Sequence, residues 1–436
     1  MKKKVAVFVP KPGNRIRYLL NNWLTKRIPS VEWLIISELE TFKQSPHFKL
    51  NYSPVQLEEA NAWVFPDGWM EDGTWRSIDY AQLNTGWVMF PQRNGDYAFD
   101  VFSAIFVMLT RAEEFLINTR DEHDRFLAAY ASYPQGMSYA IPWVDVWLEH
   151  WCAYLNDKGL KLTINQSCSG LMTIDVDQVT AVYGKSLYKT IAGGVKHIKL
   201  ISPHRRIQAY RNIIRDPFYS FPTLRSDAEK SGVPYHFFLL GGQQGNYDHN
   251  QDFSTPAYSS VIQELKEWAT IGWHPGYYWQ EKSLEEQKNE KEQLEQIIGK
   301  EITSVRMHFL KNNVQRCYLR LVELGITDDY TMGYPDQVGF RAGTSHPYAF
   351  YSLHLEQELP LQIHPLIAMD ATFKWYLNHT PAQAVKLSEE LIKYIISFGG
   401  EAVFLWHNHT VNDFGEWNQW SAVYQNQLNL LSSCLN

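Results

Sequence analysis

The sequence is short of cysteine, of basic charge and of long apolar runs. Its four cysteines, Cys152, Cys168, Cys317 and Cys434, are scattered through 436 residues with no CxxC pair, which excludes a disulfide-stapled scaffold and a cysteine zinc ribbon. Lys and Arg number 40 against 47 Asp and Glu, a formal net charge of −7. Without a basic surplus, nucleic acid is a poor partner. The longest apolar stretch, 99–109, contains Asp100 and is too short to span a bilayer. Near the start, Val5 to Val9 gives five apolar residues before Pro10, fewer than the roughly 7–15 of a signal-peptide core. The expectation is therefore a cytoplasmic protein with free thiols and no membrane span. What is abundant is aromatic: Phe, Trp and Tyr make up 14% of the chain, suited either to large cores or to stacking on sugar faces. The oligomeric state has no signature in the sequence.

Two units follow from the patterning, 1–165 and 166–436. In the first, a strand over 5–9 leads to a helix from Asn14, on which Ile16, Leu19, Leu20 and Leu24 keep one apolar face. Strand-like pieces at 31–37, 62–65 and 86–90 precede an apolar helix over 100–116 and a Trp-rich helix over 143–155. Arg111, Glu113, Glu114, Asp121, His123, Asp124 and Arg125 read as helix-surface ion pairs and a polar turn, each contributing little. After Asn156 strands alternate with helices: strands over 171–176, 234–240, 302–310, 361–369 and 401–407, and helices over 259–270, 283–298, 314–324 and 381–398. That alternation predicts a parallel α/β arrangement, either a barrel or a doubly wound sheet.

In parallel α/β folds reactive side chains gather at the carboxyl ends of the strands. Those ends carry Asp175 and Asp177, His274, Arg306 and His308, Asp370, and His407 and His409. The two carboxylates of Thr173-Ile-Asp-Val-Asp177 stand at i and i+2, on one face of a strand, where they can share a metal or a reacting water. Arg306 and His308 share a face in the same way, either towards the cleft or with the histidine paired to a carboxylate. Asp370 reads as a substrate contact or as a cap on the turn after it. Beside His274 and His407 stand Trp273, Tyr277, Tyr278, Trp279 and Trp406, with Trp417 and Trp420 further on. These aromatics either shelve a sugar ring or fill core.

The set resembles the polysaccharide deacetylases of the NodB-homology family, carbohydrate esterase family four, over 166–436. Thr173-Ile-Asp-Val-Asp177 looks like the family's Thr-Phe-Asp-Asp-Gly motif with a residue inserted between the aspartates. His274 looks like the first histidine of the second motif, Arg306 or Arg341 the arginine of the third, Asp329 the aspartate of the fourth, and Leu405-Trp406-His407 the closing motif. Asn14-Arg-Ile-Arg-Tyr18, Arg111-Ala-Glu-Glu114 and Gly339-Phe-Arg-Ala-Gly-Thr344 resemble a bacterial subgroup with an additional N-terminal domain.

The resemblance implies a distorted (β/α) barrel in 166–436 preceded by a smaller α/β domain in 1–165. It implies a hydrolase of carbon–nitrogen bonds other than peptide bonds, removing acetyl from an N-acetylated sugar or glycan. Asp175 would be the general base, Asp177 and His274 ligands of a divalent metal with zinc expected, and His407 the proton donor to the leaving amine. Arg306 or Arg341 would orient Asp175. Trp273, Tyr278, Asp329, Asp370 and Trp406 are the candidate substrate contacts. The departure from the family is Tyr278, which stands where its second metal histidine belongs. His364 and His346 are candidates for the missing ligand. Three readings stay open: a rearranged metal site, a metal-independent amidohydrolase using Arg341 or a backbone NH as electrophile, and a carbohydrate-binding module on a degenerate deacetylase fold.

Overall fold

Val5, Ala6 and Val7 are fully buried within Lys3–Phe8 (β1), because this strand lies inside a parallel sheet covered on both faces. The order is β2-β1-β3-β4, with β2 at Val31–Ile36, β3 at Phe48–Asn51 and β4 at Ala62–Trp63. A separate hairpin pairs β5 (Tyr80–Leu83) with β6 (Gly86–Met89). The computed structural model describes residues 2–184, 203–242, 244–314 and 316–435.

Nine strands form the larger sheet, in the order β12-β13-β11-β10-β9-β8-β7-β15-β14. They are β7 (Cys168–Val176), β8 (Tyr235–Leu240), β9 (Thr270–His274), β10 (Ser304–Val305), β11 (Asp328–Asp329), β12 (Tyr348–Ser352), β13 (Gln357–Ile363), β14 (Ala368–Met369) and β15 (Gly400–His407). Every pair is parallel except β12 with β13. One stretch of chain serves two partners. β13 lies on β11; then the Ile367 amide donates to Val403 O at 3.1 Å, and β14 pairs with β15.

Alternation along the strands sorts the side chains. Phe238, Val403, Leu405, Leu366 and Met369 meet in one cluster, while Met172, Ile174, Phe237, Trp273 and Trp406 join the main core. Gly272 is needed where it stands: a Cβ there would lie 2.6 Å from the Phe238 ring, directly beneath His274. The connecting helices are firmly begun. Ser283 and Thr380 each form a reciprocal capping box, on Leu284–Ile298 and Pro381–Phe398.

Several expectations are corrected. The helix over 100–116 is two, Val101–Thr110 and Glu113–Leu116, because Arg111 takes a left-handed conformation at φ 54°. The strand over 302–310 is only Ser304–Val305; the chain then turns at His308–Leu310, with Phe309 and Leu310 at φ 62° and 52°. The helix over 259–270 is Pro256–Leu265, and Thr270 opens β9. Arg111, Glu113 and Glu114 are buried instead of lying on a helix surface. Arg111 Nε is 2.9 Å from Glu114 Oε1, and Arg341 Nη2 is 2.7 Å from Glu114 Oε2, so this cluster ties the first 165 residues to the later strands. Among the described residues no helix is long and apolar enough to cross a membrane.

Candidate active site

The inward-facing positions at the ends of β7, β9 and β15 deliver Asp175, His274 and His407, and Asp177 follows one residue beyond β7. The tight turn after β10 adds His308. These side chains line a cavity of about 210 Å³ together with Arg125, Phe309, Trp375, Tyr376 and His409.

Asp177, His274 and His308 each offer a ligand atom within 4.8 Å of the others. His274 Nε2 is 3.5 Å and His308 Nε2 3.7 Å from Asp177 Oδ1. The opposite ring nitrogens are fixed: His274 Nδ1 donates to Arg306 O at 2.6 Å and His308 Nδ1 to Asp248 Oδ1 at 2.8 Å. Asp248 in turn accepts from the Tyr277 amide. Both Nε2 atoms are thereby turned towards Asp177, as for metal-binding histidines with an outer carbonyl or carboxylate. His274 Nε2 and Asp177 Oδ1 are buried without a hydrogen-bond partner, a loss of about 1–3 kcal/mol for each such atom. A cation between them removes that loss. Two imidazoles and a carboxylate are a fitting donor set for zinc or a related divalent ion. Burial alone would raise the Asp177 carboxyl; the imidazoles around it, His308 foremost, with His274 and His407, hold it well below the usual range.

On one side of this cluster Asp175 accepts from Arg306 Nη1 at 3.2 Å, and the same nitrogen donates to Thr173 Oγ1 at 2.6 Å. Arg306 Nε donates to Tyr330 O, and its guanidinium lies 4.7 Å over the Phe238 ring. On the other side His407 Nδ1 donates to Asp370 Oδ1 at 2.9 Å, and Asp370 also accepts from the His407 amide and from Thr410 Oγ1. Burial would lower the His407 pKa, but the Asp370 charge and hydrogen bond, helped by Asp177 and Asp175, raise it to about 10. His407 Nε2, 3.9 Å from Asp177 Oδ2, faces the cavity as a held imidazolium.

Other sequence candidates lie elsewhere. Arg341 is buried on Glu114 and Gly333 O, away from Asp175. Asp329 is fully buried, accepting from Tyr318 and Thr331. Trp273 and Trp406 face outward into core, as alternation with His274 and His407 requires, and Trp279, Trp417 and Trp420 are buried. Tyr278 packs with Tyr247 and Tyr277 outside the cavity lining. His364 pairs with Asp328 and Glu401, and His346 with Arg27 and Phe398 O, so neither approaches Asp177 as a third ligand. Asp370 belongs to the site, but as the partner of His407.

Sequence reasoning missed Asp248, Arg125, Trp375 and Tyr376. Arg125 comes from the turn after Asp121 and reaches the cavity, its guanidinium donating to Phe309 O and Tyr376 Oη. Trp375 and Tyr376, 45% and 40% exposed, stand on a π-helical turn, Thr372–Tyr376, which no sequence period announces.

Residues 5–160 match the model of a family of unknown function, DUF7033. No curated protein matches the chain. Among solved structures it is similar to a protein from Mycobacterium smegmatis provisionally described as a polysaccharide deacetylase, at 16% identity and a TM-score of 0.40, over 62% of this chain and 83% of that one. It is similar to a family 4 carbohydrate esterase from Streptomyces lividans at 11% identity and TM-score 0.28, over 62% and 88%. It is also similar to a 4-alpha-glucanotransferase from Thermococcus litoralis at 14% identity and TM-score 0.36, over 62% and 38%. These similarities do not decide the chemistry, which rests on the groups around the cavity.

Proposed function

We propose that the chain is a metal-assisted hydrolase that removes the N-acetyl group from an amino sugar of a glycan. The observation that carries this reading is the convergence of Asp177, His274 and His308 within 4.8 Å, flanked by the Arg306–Asp175 and Asp370–His407 pairs. A divalent cation, zinc by its donor set, would polarise the acetyl carbonyl and make water a nucleophile near neutral pH. Asp175, oriented by Arg306, takes the proton from that water. His407, kept cationic by Asp370, gives its proton to the amine nitrogen as the carbon–nitrogen bond breaks. Trp375 and Tyr376, partly exposed in the cavity lining, offer aromatic surface for a sugar.

In this reading His308 does what Tyr278 cannot, and the metal site is rearranged, not lost. A metal-independent amidohydrolase is disfavoured because Arg341, its candidate electrophile, is committed to Glu114. A binding module would have no use for a held imidazolium opposite a held carboxylate. We read the shared pairing of 357–369 with β11 and β15 as closure of seven parallel strands into a distorted barrel. Residues 1–165 we read as a smaller α/β unit that lends Arg125 to the cavity.

The test is acetate release from N-acetylglucosamine oligomers by zinc-loaded protein, with Asp175→Asn and His407→Ala as controls. Release at least 100-fold lower in both variants is expected; full release by either overturns the assignment.

A further inference from the structure

Between Asp177 and Asp216 the sequence carries eight Lys and Arg and no Asp or Glu, in a chain of net charge −7. The described part includes the helix Pro203–Arg211 and the turn Ile213–Arg215. It is anchored at its base by Asp216, whose carboxylate accepts the amides of Ala181, Val182 and Tyr183 at 2.7, 2.7 and 2.9 Å. Ala209 is buried in a small cluster with Ala181, Val182 and Phe218. The larger apolar side chains point the other way: Ile207 is 55%, Tyr210 42% and Ile214 69% exposed. Arg205, Arg211 and Arg215 are exposed among them.

This base adjoins the cavity. Asn408 Nδ2 donates to Gln178 O and Phe218 O, and the Phe218 ring lies 4.9 Å from that of His409, which lines the cavity. Outward isoleucines among arginines are poorly placed in water and well placed at a bilayer interface, where the apolar groups enter the acyl boundary and the guanidiniums meet lipid phosphates. A nucleic acid would meet the arginines but leave Ile207 and Ile214 in water. We infer that residues 204–215 dock this face reversibly on a bilayer rich in anionic phospholipid. The mouth of the cavity then lies at the membrane surface, and its substrate is a lipid-anchored or membrane-apposed glycan; this last step rests on the proposed hydrolase activity.

The test is sedimentation of the full, metal-loaded chain with vesicles of phosphatidylcholine alone, or of phosphatidylcholine and phosphatidylglycerol in equal parts. Binding to the mixed vesicles only, falling with added salt, is expected. The pair Arg211→Gln and Arg215→Gln weakens partitioning about 25-fold, at about five-fold per charge. The pair Ile207→Asp and Ile214→Asp also weakens it, and leaves acetate release from a soluble oligosaccharide unchanged. No binding to mixed vesicles, or binding indifferent to both pairs, overturns the inference. So does tighter binding to a DNA duplex that depends on the arginines and ignores the isoleucines. Vesicle binding needs no catalysis: an inactive protein that still binds contradicts only the hydrolase reading, and an active one that does not bind contradicts only the docking.

Discussion

His308 Nδ1 lies 2.8 Å from Asp248 Oδ1, while Nε2 of the same ring is 3.7 Å from Asp177 Oδ1. The carboxylate thus fixes both the tautomer and the tilt of a ring that the left-handed turn at Phe309 throws into the cavity. Asp248→Ala should weaken zinc affinity by about 10–100-fold without abolishing it, measured by competition with a chelating dye. Tyr278→Phe should leave affinity unchanged. Equal effects of the two substitutions would contradict the assigned geometry.

The Asp370–His407 pair predicts a pH dependence. Its raised pKa, about 10, keeps His407 protonated through neutral pH. Removing the Asp370 charge lowers that pKa, so the proton donor is lost at lower pH. Asp370→Asn should therefore shift the alkaline limb of kcat downward and reduce the rate by about 10²-fold or more. An alkaline limb that stays in place would assign it to another group.

His364 predicts a stability effect far from the chemistry. Its Nδ1 is 2.7 Å from Glu401 Oε2 and its Nε2 3.1 Å from Asp328 Oδ1, and none of the three residues lines the cavity. Burial would lower its pKa, but the hydrogen bonds it donates to Asp328 and Glu401 raise it to about 9. With a folded pKa above an unfolded value of about 6.5, the stabilisation is complete below about 6.5 and lost as pH rises through about 9; it is on the order of 3 kcal/mol. Thermal melts should show wild type losing Tm over that window, and His364→Gln lower at neutral pH with a flatter profile. Parallel profiles would contradict the bridge.

Glu114 sits between two buried guanidiniums, Arg111 and Arg341. Glu114→Gln takes the carboxylate from Arg341 and leaves Arg111 with Glu113 alone, and should destabilise by about 3–5 kcal/mol in urea unfolding. The kcat of the folded fraction should be unchanged, because neither arginine lines the cavity. A selective loss of kcat at wild-type stability would return Arg341 to the chemistry.

Asp175, Asp177, His274 and His407 were legible because each ends or follows an apolar strand, a local pattern. Alternation also held a signal that the aromatic reading overlooked: with His274 and His407 facing inward, Trp273 and Trp406 must face outward. The third candidate ligand is harder to see. His308 shares a short segment with Arg306, but the chain leaves β10 after Val305 and turns left-handed at Phe309, so no strand period assigns its direction. The partner of Arg341 is 227 residues away in sequence, and Asp248 lies 60 from His308; nothing local marks either pairing. The helix over 381–398 is legible to the residue because Thr380, Pro381 and Gly399 mark both its ends.

The most direct test of the central claim is metal content measured beside acetate release, in wild type, His274→Ala and His308→Ala. The account predicts one divalent ion per wild-type chain, lost from both variants together with acetate release, which falls when a chelator strips the wild type and returns when zinc is restored. Full acetate release from chelated wild type, or a His308→Ala protein that keeps its ion, would contradict it.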